Sequence, residues 1–590
     1  MVSFQRSVVL FWGKVFLLCF VAGALVYGAS IFFPFVSLDD HLLVVDNPWV
    51  RDFSLRSLRA MFTSYDPELY IPITFLSFQI DYLLGGGSPS LFHATNIILH
   101  SVNATLVAIL LSRLLRSRAL PIFLGLIFLL HPIQTEAVVW ISARKDLLSS
   151  LFFLLSVLTY DVWLECKAKN FRLLSIAAFA FGLMAKVSII GLPVILLLID
   201  FLRGRSIRHS LLNKWPYLGL AILFGIIALV GKPQAAEAEL LTIALLSLRS
   251  VMLSLQHIFV PVHLSVLYLA PEPISLLSAP YAISALILIA LGVILFLMRE
   301  WRTLTVGALF FLVMLAPSFL NLAKAEAFYA GSDRYVYLAM IGILFIIGFM
   351  ILQVDLRSRM ARVHSFLPAS LALLCIVFFG ARSTVESRHW RSDIALFENA
   401  LSVAPSSHIA LINLANAYRD QGDSARAMEL YDHSQLVRPD ARIDYNRGLL
   451  FEYLGDIDKA EEAYKAALVL GPAYSLALVN LGAIYYTKGD KPNAKAAFEA
   501  AARSAPHLAR AKFNLGVIAT EEGNAAKAVE YYQKALQEDP QFLDAHINLS
   551  LLYFQTGNKE KALEHFHAAS SIDPLHQHVR ALEQLLGVKR

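Results

Sequence analysis

The feature that most constrains this chain is a series of long apolar stretches that fills its first two thirds. A stretch of roughly 20 apolar residues crosses the hydrocarbon core of a bilayer, and a shorter one fits when it is tilted or buried among other helices. The whole chain is 57% hydrophobic and only 16% charged, which is typical of apolar spans joined to a polar domain. The sequence predicts about eleven spanning helices, at 10–32, 92–112, 119–133, 147–165, 172–185, 187–202, 216–231, 279–298, 303–320, 335–353 and 364–381.

The N-terminal stretch reads as the first of these spans. Arg6 and Lys14 accompany an apolar run from Val8 to Phe33, which is longer than the apolar core of a secretory signal. Pro34 follows the run in place of a small-residue cleavage site. We therefore predict an uncleaved first span.

Basic residues between the spans indicate the topology. Every second connection is basic, which by the positive-inside rule places these loops and the N-terminus in the cytoplasm. Eleven crossings then put the C-terminal domain on the opposite side, with long non-cytoplasmic loops at about 33–91 and 232–278. The basic clusters are Arg113, Arg116 and Arg118; Lys167, Lys169 and Arg172; Arg203, Arg205, Arg208 and Lys214; Arg299 and Arg302; and Arg357, Arg359 and Arg362.

The same pattern argues against two other kinds of function. Short basic clusters between apolar runs are typical of topology control and not of nucleic-acid binding, so no nucleic-acid partner is expected. The three cysteines, Cys19, Cys166 and Cys375, lack the spacing of a disulfide framework or a zinc site. The sequence predicts no metal site and leaves metal dependence open.

From about residue 387 the chain carries an internal repeat. Glycines recur at intervals of 33 or 34 residues, from Gly422 to Gly557, and prolines recur in register from Pro405 to Pro574. This period and pattern are those of tetratricopeptide repeats (TPRs), in which each repeat is a helix pair. We predict a TPR α-solenoid over 387–590, with a half repeat, five repeats at about 406–574 and a capping helix at the C-terminal end.

A TPR array commonly binds an extended peptide in its inner groove, although a self-packed spacer without a ligand is the alternative. Polar residues that recur in the first helix of each repeat are candidates for the groove, but several are also ordinary TPR helix positions. The candidates are Asn413, Asn446, Arg447, Asn480, Asn514 and Asn548.

Ionisable residues beside the predicted spans are candidates for a functional site, because charge near the hydrocarbon is costly. Asp39 and Asp40 directly follow the first span. Adjacent carboxylates suit a general base or a clamp for a metal or a sugar, while a plain loop or cap is the alternative. For the other charged residues the alternative is a structural ion pair, and for the histidines it is a hydrogen bond between helices.

Several short motifs occur in a fixed order along the membrane half. After Asp39-Asp40-His41 come Phe92-His93 with His100, His131-Pro132 with Glu136, Arg144-Lys145-Asp146, Ala185-Lys186, and Ser332-Asp333-Arg334-Tyr335. This set, followed by TPRs, resembles the transmembrane and tetratricopeptide-repeat-containing (TMTC) proteins and their bacterial relatives. The resemblance covers nearly the whole chain.

The resemblance implies an all-α polytopic membrane domain of the GT-C glycosyltransferase type over 1–386. It implies transfer of a sugar, with mannose as the suggested sugar, from a polyprenyl- or dolichyl-phosphate donor to Ser/Thr hydroxyls of proteins that the TPRs recruit. Asp39 or Asp40 would be the base. The residues implied to hold the donor phosphate are Arg144, Lys145, Lys186, Lys324 and Arg334, and those implied to orient sugar or acceptor are His93, His100, His131, Glu136, Asp333 and Tyr335.

Two other functions fit parts of the sequence. A non-catalytic TPR scaffold in the membrane would need neither Asp39 nor Asp40. A transporter is disfavoured because no pair of broken helices recurs in matching halves. For an enzyme, the topology predicts a bacterial inner membrane protein with periplasmic TPRs, or an endoplasmic reticulum protein with lumenal TPRs.

Overall fold

A computed structural model describes residues 2–65, 70–231, 239–323, 327–357 and 366–588. Chain contacts divide it into two compact units, Met1–Ala410 and Leu411–Arg590. Both are built from helices, which confirms the all-α prediction. Within the described residues, β-structure is limited to the short antiparallel pair Tyr268–Leu269 and Tyr329–Gly331 and one isolated bridge.

The first unit is a bundle of apolar helices joined by shorter ones. Its α-helices are Val2–Tyr27, Pro48–Arg51, Leu55–Thr63, Pro72–Gly85, Pro89–Leu115, Ala119–Leu130, Thr135–Val139, Arg144–Cys166, Lys169–Ala185, Leu192–Leu202, Ile207–Leu212, Trp215–Val230, Leu240–Phe259, Ala279–Leu297, Arg302–Leu315, Val336–Arg357, Phe366–Ser387 and Asp393–Val403. Short 3-10 or π turns lie at Gly28–Phe32, His41–Val45, Pro132–Gln134, Ile141–Ala143, Val187–Gly191, Ala316–Asn321, Asp333–Tyr335 and Arg388–Arg391.

Among the described residues, eight helices are long and apolar enough to cross a membrane, or nine if a pair bent by 54° at His131 counts as one span. Pro132 explains the bend, since proline has no amide hydrogen with which to continue the helix. Three predicted spans lie in shorter helices, Lys169–Ala185, Leu192–Leu202 and Trp215–Val230.

The stretch 232–278 is predicted from the sequence as a non-cytoplasmic loop whose amphipathic helices lie at the membrane interface. It contains the helix Leu240–Phe259, which is itself long and apolar enough to be a span. Arg249 and several serines lower the mean hydropathy of this stretch, so hydropathy alone does not identify it as a span. In the structure Ser247 and Ser254 donate to the carbonyl oxygens of Ile243 and Ser250, so their hydroxyls are satisfied within the helix.

Close packing holds the helices Arg302–Leu315 and Val336–Arg357 together. A Cβ built on Gly342 would collide with the carbonyl oxygen of Gly307, so the two backbones lie in direct contact. Small residues at a helix–helix contact allow this approach, and such packing replaces the hydrophobic driving force that lipid does not supply.

The second unit consists of helix pairs, as predicted for TPRs. The first helix of the repeat array begins at His408, just before the boundary of this unit. The helices of the array are His408–Asp420, Ser424–Val437, Ala441–Tyr453, Ile457–Leu470, Ser475–Thr487, Lys491–Ser504, Ala509–Glu521, Ala525–Glu538, Leu543–Gln555, Lys559–Ile572 and Gln577–Leu586. The last of these buries Val579, Leu582 and Leu586 against the preceding repeat. The composition-based boundary at 386/387 remains a prediction beside the contact-based one at 410/411.

Local chemistry sets the turns of the repeats. The glycine in each turn has a positive φ, for example 77° at Gly455 and 81° at Gly489, a conformation that glycine adopts without strain. The residue after the glycine is Asp or Asn and caps the next helix, as when Asp456 accepts from the Lys459 amide. A second glycine lets the paired helices approach, because a Cβ at Gly482 would lie 2.7 Å from the Phe498 ring.

Candidate functional site

The loop after the first apolar helix gives its two adjacent carboxylates different environments. Asp40 is 1% exposed. Its Oδ1 accepts from the amide and hydroxyl of Ser142 at 2.9 and 2.5 Å, and its Oδ2 accepts from the Val36 amide at 3.1 Å. Burial raises the pKa of Asp40 to about 6, and the hydrogen bonds from Ser142 and Val36 act in the opposite direction. Asp40 therefore ties this loop to the start of the helix Arg144–Cys166.

Asp39 is the accessible member of the pair. Its side chain is 42% exposed, and its Oδ2 lies 3.4 Å from Nζ of Lys145, which is itself nearly buried. Asp40 therefore lies in the protein interior, whereas Asp39 lies at the surface beside a cation. Of the two, Asp39 is the group that a hydroxyl can reach.

Three cations from three different segments interact with this carboxylate or with one another. Lys145 and Arg334 both interact electrostatically with Asp39 and with each other, and Lys186 is within range of both cations. Lys145 begins the helix Arg144–Cys166, Lys186 joins Lys169–Ala185 to the next turn, and Arg334 belongs to the turn Asp333–Tyr335. The fold therefore brings together residues that are up to 295 positions apart, from 39 to 334.

Carboxylates and aromatic rings hold the cations in place. Lys186 donates to Asp146 at 2.5 Å and lies over the Tyr335 ring at 5.7 Å. Arg334 donates to Glu136 at 3.1 Å, and the same carboxylate accepts from the Arg334 amide at 3.0 Å. Asp146 is a candidate from the sequence without an assigned role, and in the structure it pairs with Lys186.

Trp140 is a component that sequence reasoning missed. Its ring lies 4.5 Å from the Arg334 guanidinium carbon and 5.5 Å from Nζ of Lys145. It follows Glu136 by four residues, and the only signal for it was its place between the Glu136 and Arg144 motifs. A tryptophan face beside two cations holds them without neutralising their charge.

Asp333 supports the turn that presents Arg334. Its Oδ1 lies 2.8 Å from Nδ1 of His257, and its Oδ2 accepts from the Tyr268 hydroxyl at 2.6 Å. The predicted role of Asp333 in orienting sugar or acceptor does not fit this burial, since both oxygens are used inside the protein. His257 and Tyr268 had no motif to identify them.

Arg144 also differs from its predicted place. It is 0% exposed, its Nε donates to Asn96 at 2.8 Å, and one terminal nitrogen donates to Asp81 at 2.5 Å. The other terminal nitrogen donates to the Phe92 carbonyl at 2.7 Å. With every nitrogen engaged away from solvent, the guanidinium serves helix packing and not a donor phosphate.

The predicted histidines lie inside the bundle. His100 uses both ring nitrogens, at 2.9 Å to the Leu129 carbonyl and 2.8 Å to the Tyr337 hydroxyl. His131 donates to the Ile258 carbonyl and accepts from the Ile133 amide. His93 is buried against the Phe33 ring. This arrangement supports the alternative of hydrogen bonds and packing between helices over contact with a sugar.

Two further predictions concern Lys324 and a metal site. Lys324 lies outside the described residues. No group of three or more His, Cys, Asp or Glu side chains that could hold a metal ion occurs in the described part of the chain.

The TPR candidates have mixed environments. Asn480 and Asn548 donate to the hydroxyls of Tyr464 and Tyr532 in the preceding repeats, at 3.1 and 3.3 Å. Arg447 pairs with Asp444 and Asp432. Asn446 is buried, while Asn413 and Asn514 are partly exposed. The tyrosine contacts show that part of this set joins adjacent repeats, so it does not all face a groove.

The comparison with known proteins covers both units. Tetratricopeptide repeat models match residues 381–439, 445–506, 485–542 and 519–586. The protein O-mannosyl-transferase F38B6.6 of Caenorhabditis elegans is 27% identical over 74% of this chain and 60% of its own length. The protein O-mannosyl-transferase TMTC1 of Mus musculus is 37% identical over 24% of this chain and 16% of its own length.

The chain thus spans 60% of the first of these relatives and 16% of the second, in each case less than two thirds. Among solved structures, Pseudomonas aeruginosa PilF aligns with 30% of this chain and 82% of its own, at 19% identity and a TM-score of 0.29. A value this low adds nothing to the assignment. The ordered motifs, the apolar helices, the repeats and the sequence matches together show that the chain is similar to the transmembrane and tetratricopeptide-repeat-containing (TMTC) proteins.

Proposed function

We propose that this protein is a membrane glycosyltransferase that moves a sugar from a polyprenyl-phosphate donor to a Ser or Thr hydroxyl of a protein. The observation that carries the proposal is the interaction of the accessible Asp39 carboxylate with Lys145 and Arg334, with Lys186 within electrostatic range of both cations. A base beside a group of cations is what attack by a hydroxyl on a phosphate-linked sugar requires. The relatives named protein O-mannosyl-transferases support mannose as the sugar.

In this reaction the acceptor hydroxyl gives its proton to Asp39 while its oxygen attacks the anomeric carbon. The bond between that carbon and the phosphate oxygen breaks, and polyprenyl phosphate leaves with the bonding electrons. The configuration at the anomeric carbon inverts. Asp39 then returns its proton to solvent.

The cations would stabilise the leaving phosphate. Phosphate is a good leaving group, so the reaction needs positive charge close to the departing oxygen more than it needs a strong acid. Arg334 offers a planar guanidinium that binds phosphate with two nitrogens, and the two lysines offer point charges. Asp40 shapes the loop and Glu136 holds Arg334, so neither needs to touch the substrate.

The proposal extends to place and partners. On this proposal the helix Leu240–Phe259 does not cross the membrane, the basic loops face the cytoplasm, and Asp39 and the TPRs lie on the non-cytoplasmic face, in the periplasm or the lumen of the endoplasmic reticulum. The TPRs would bind the acceptor protein. The lipid-linked sugar is the one co-substrate that the proposal names.

The test is a transfer assay with the purified full-length chain, radiolabelled polyprenyl-phosphate mannose and a peptide containing Ser and Thr. Asp39→Asn should lower the rate by roughly 100- to 10,000-fold, the range for loss of a general base. Asp46→Asn is the matched control, because Asp46 lies in the same loop with a side chain that is 69% exposed. It should match the wild type.

Two results would overturn the proposal. Asp39→Asn with wild-type transfer would remove Asp39 as the base. A wild-type protein that consumes no polyprenyl-phosphate sugar, while its TPRs still bind proteins, would instead establish a membrane-bound scaffold.

A further inference from the structure

The helix Asp393–Val403 belongs to the first unit, although its sequence reads as a half TPR. Its first residue reaches the loop that carries the candidate base. Oδ1 of Asp393 accepts from the Ser37 amide at 2.8 Å, a contact between residues 356 positions apart. Ser37 lies two residues before Asp39.

This bond does not serve the helix that contains Asp393. The cap of that helix is Ser392, whose hydroxyl accepts from the Ala395 amide at 3.2 Å. The carboxylate of Asp393 is therefore available for the loop. Two further bonds fix the same loop, from the Val36 amide to Asp40 and from the Leu43 amide to the Asp39 carbonyl.

The turn just before this helix contacts the cationic side of the site. The Trp390 ring stacks on the Trp140 ring, with centroids 5.9 Å apart and planes 25° from parallel. Trp140 is the ring that lies beside Lys145 and Arg334. One short segment, 390–393, thus contacts both the loop of the carboxylate and the ring that holds the cations.

The far end of the helix makes a third contact. Nδ2 of Asn399 donates to the Leu264 carbonyl at 2.9 Å, and Val403 packs against the cluster of Leu253, Tyr268 and Ala330. Tyr268 donates to Asp333, in the turn that presents Arg334. Each of the three contacts of Asp393–Val403 and its preceding turn therefore leads to a segment of the candidate site.

We propose that Asp393 is a positioning residue for Asp39, so that the helix before the repeats is a working part of the transfer site. The inference rests on the proposed role of Asp39 as the base. Without the bond to Asp393, the Ser37 amide would bond to water and the loop would sample other positions. A displacement of about 1 Å at a reacting group lowers a rate by roughly 100-fold.

The experiment compares three variants of the full-length protein in the transfer assay. Asp393→Ala removes the acceptor, Asp393→Asn keeps a neutral acceptor, and Asp544→Ala is the matched control. Asp544 is also an aspartate in the first turn of a helix, Leu543–Gln555, and it is exposed where Asp393 is partly buried. We expect Asp393→Ala to lower kcat by roughly 10- to 100-fold, with the KM for the donor unchanged. Asp393→Asn should recover most of the loss, and the control should match the wild type.

Hydrogen exchange of a peptide that covers 36–40 provides a readout that does not depend on activity. Exchange should be faster in Asp393→Ala and unchanged in Asp393→Asn and Asp544→Ala. Should Asp393→Ala not fold, Asp393→Ser, whose hydroxyl is too short to reach Ser37 in the same position, takes its place.

The outcomes separate this inference from the proposed function. If Asp39→Asn abolishes transfer while Asp393→Ala keeps the wild-type kcat, Asp393 has no positioning role and the proposed function stands. A loss of kcat without faster exchange at 36–40 also overturns the inference. If the wild type itself transfers no sugar, the proposed function fails and the inference falls with it.

Discussion

The two ends of the helix Arg144–Cys166 both carry buried charge, but they use it differently. At the C-terminal end Asp161 is 0% exposed and accepts from Arg113 at 2.5 Å and from Arg203 at 2.9 Å. Nearby, Lys214 pairs with Asp200 at 2.5 Å, with both side chains inside the protein. Tyr160 of the helix donates to Asp200 as well. Every carboxylate in this group has close partners.

At the N-terminal end the pairing is incomplete. Lys145 lies 3.4 Å from a carboxylate that is 42% exposed, and one oxygen of Asp146 has no hydrogen-bond partner among the residues that the structure describes. A buried charge that is fully paired stabilises one arrangement, whereas a cation beside an accessible carboxylate can also bind a ligand. The difference indicates that the first group is structural and the second is functional.

The largest effect is expected from Lys214→Met. It leaves the Asp200 carboxylate buried without its cation, so the free energy of unfolding should fall by about 3–5 kcal/mol. Transfer per folded molecule should be unchanged. Denaturant unfolding in detergent micelles measures the loss, with the exposed Lys169→Met as control. A stable but inactive Lys214→Met protein would contradict the structural assignment of this end.

A smaller effect on the free energy of unfolding is expected when the pH changes, because Asp40 titrates. Its pKa of about 6 lies above the value of 3.8 for an ordinary aspartate, so the folded protein holds this proton more tightly than the unfolded one. The stabilisation is complete below about pH 4 and is lost as the pH rises through about 6, a change of about 3 kcal/mol.

Asp40→Asn does not titrate and serves as the reference. Compared with this variant, the wild type should have a lower unfolding midpoint at pH 7 than it has at pH 4. A difference that stays constant over this range would show that Asp40 is not buried as described.

Lys145→Met is expected to lower kcat/KM by roughly 100-fold, equivalent to about 2.7 kcal/mol, by removing a charge that stabilises the leaving phosphate. Stability should barely change, because water can hydrate the exposed Asp39 carboxylate. The same substitution therefore affects activity at one end of the helix and stability at the other. Equal losses of stability for Lys145→Met and Lys214→Met would erase the distinction between the two ends.

Sequence reasoning succeeded where the determinants are local. The TPR turns follow from a glycine and a capping Asp or Asn within a few residues, such as Gly455 and Asp456. The apolar helices follow from their length. The helix Leu240–Phe259 was not identified as a candidate span because the polar groups of Ser247 and Ser254 are satisfied inside the helix, which a hydropathy average does not register.

The site could be predicted only as a set of candidates. Asp39 and Asp40 are adjacent and chemically identical, and the choice between them depends on Ser142, 102 residues away from Asp40. Arg144 reads as a phosphate ligand until Asp81 and Asn96 are seen to occupy its nitrogens. Such pairings depend on helix packing, and no local pattern records them.

The stacked Trp140 and Trp390 rings have an optical consequence. Indoles held this close and nearly parallel couple their electronic transitions. The pair should therefore give a circular dichroism signal in the near ultraviolet that is absent when either ring is replaced. That signal would report, without any label, whether the chain leading into the repeats stays seated beside Lys145 and Arg334 as lipid-linked sugar and acceptor are added.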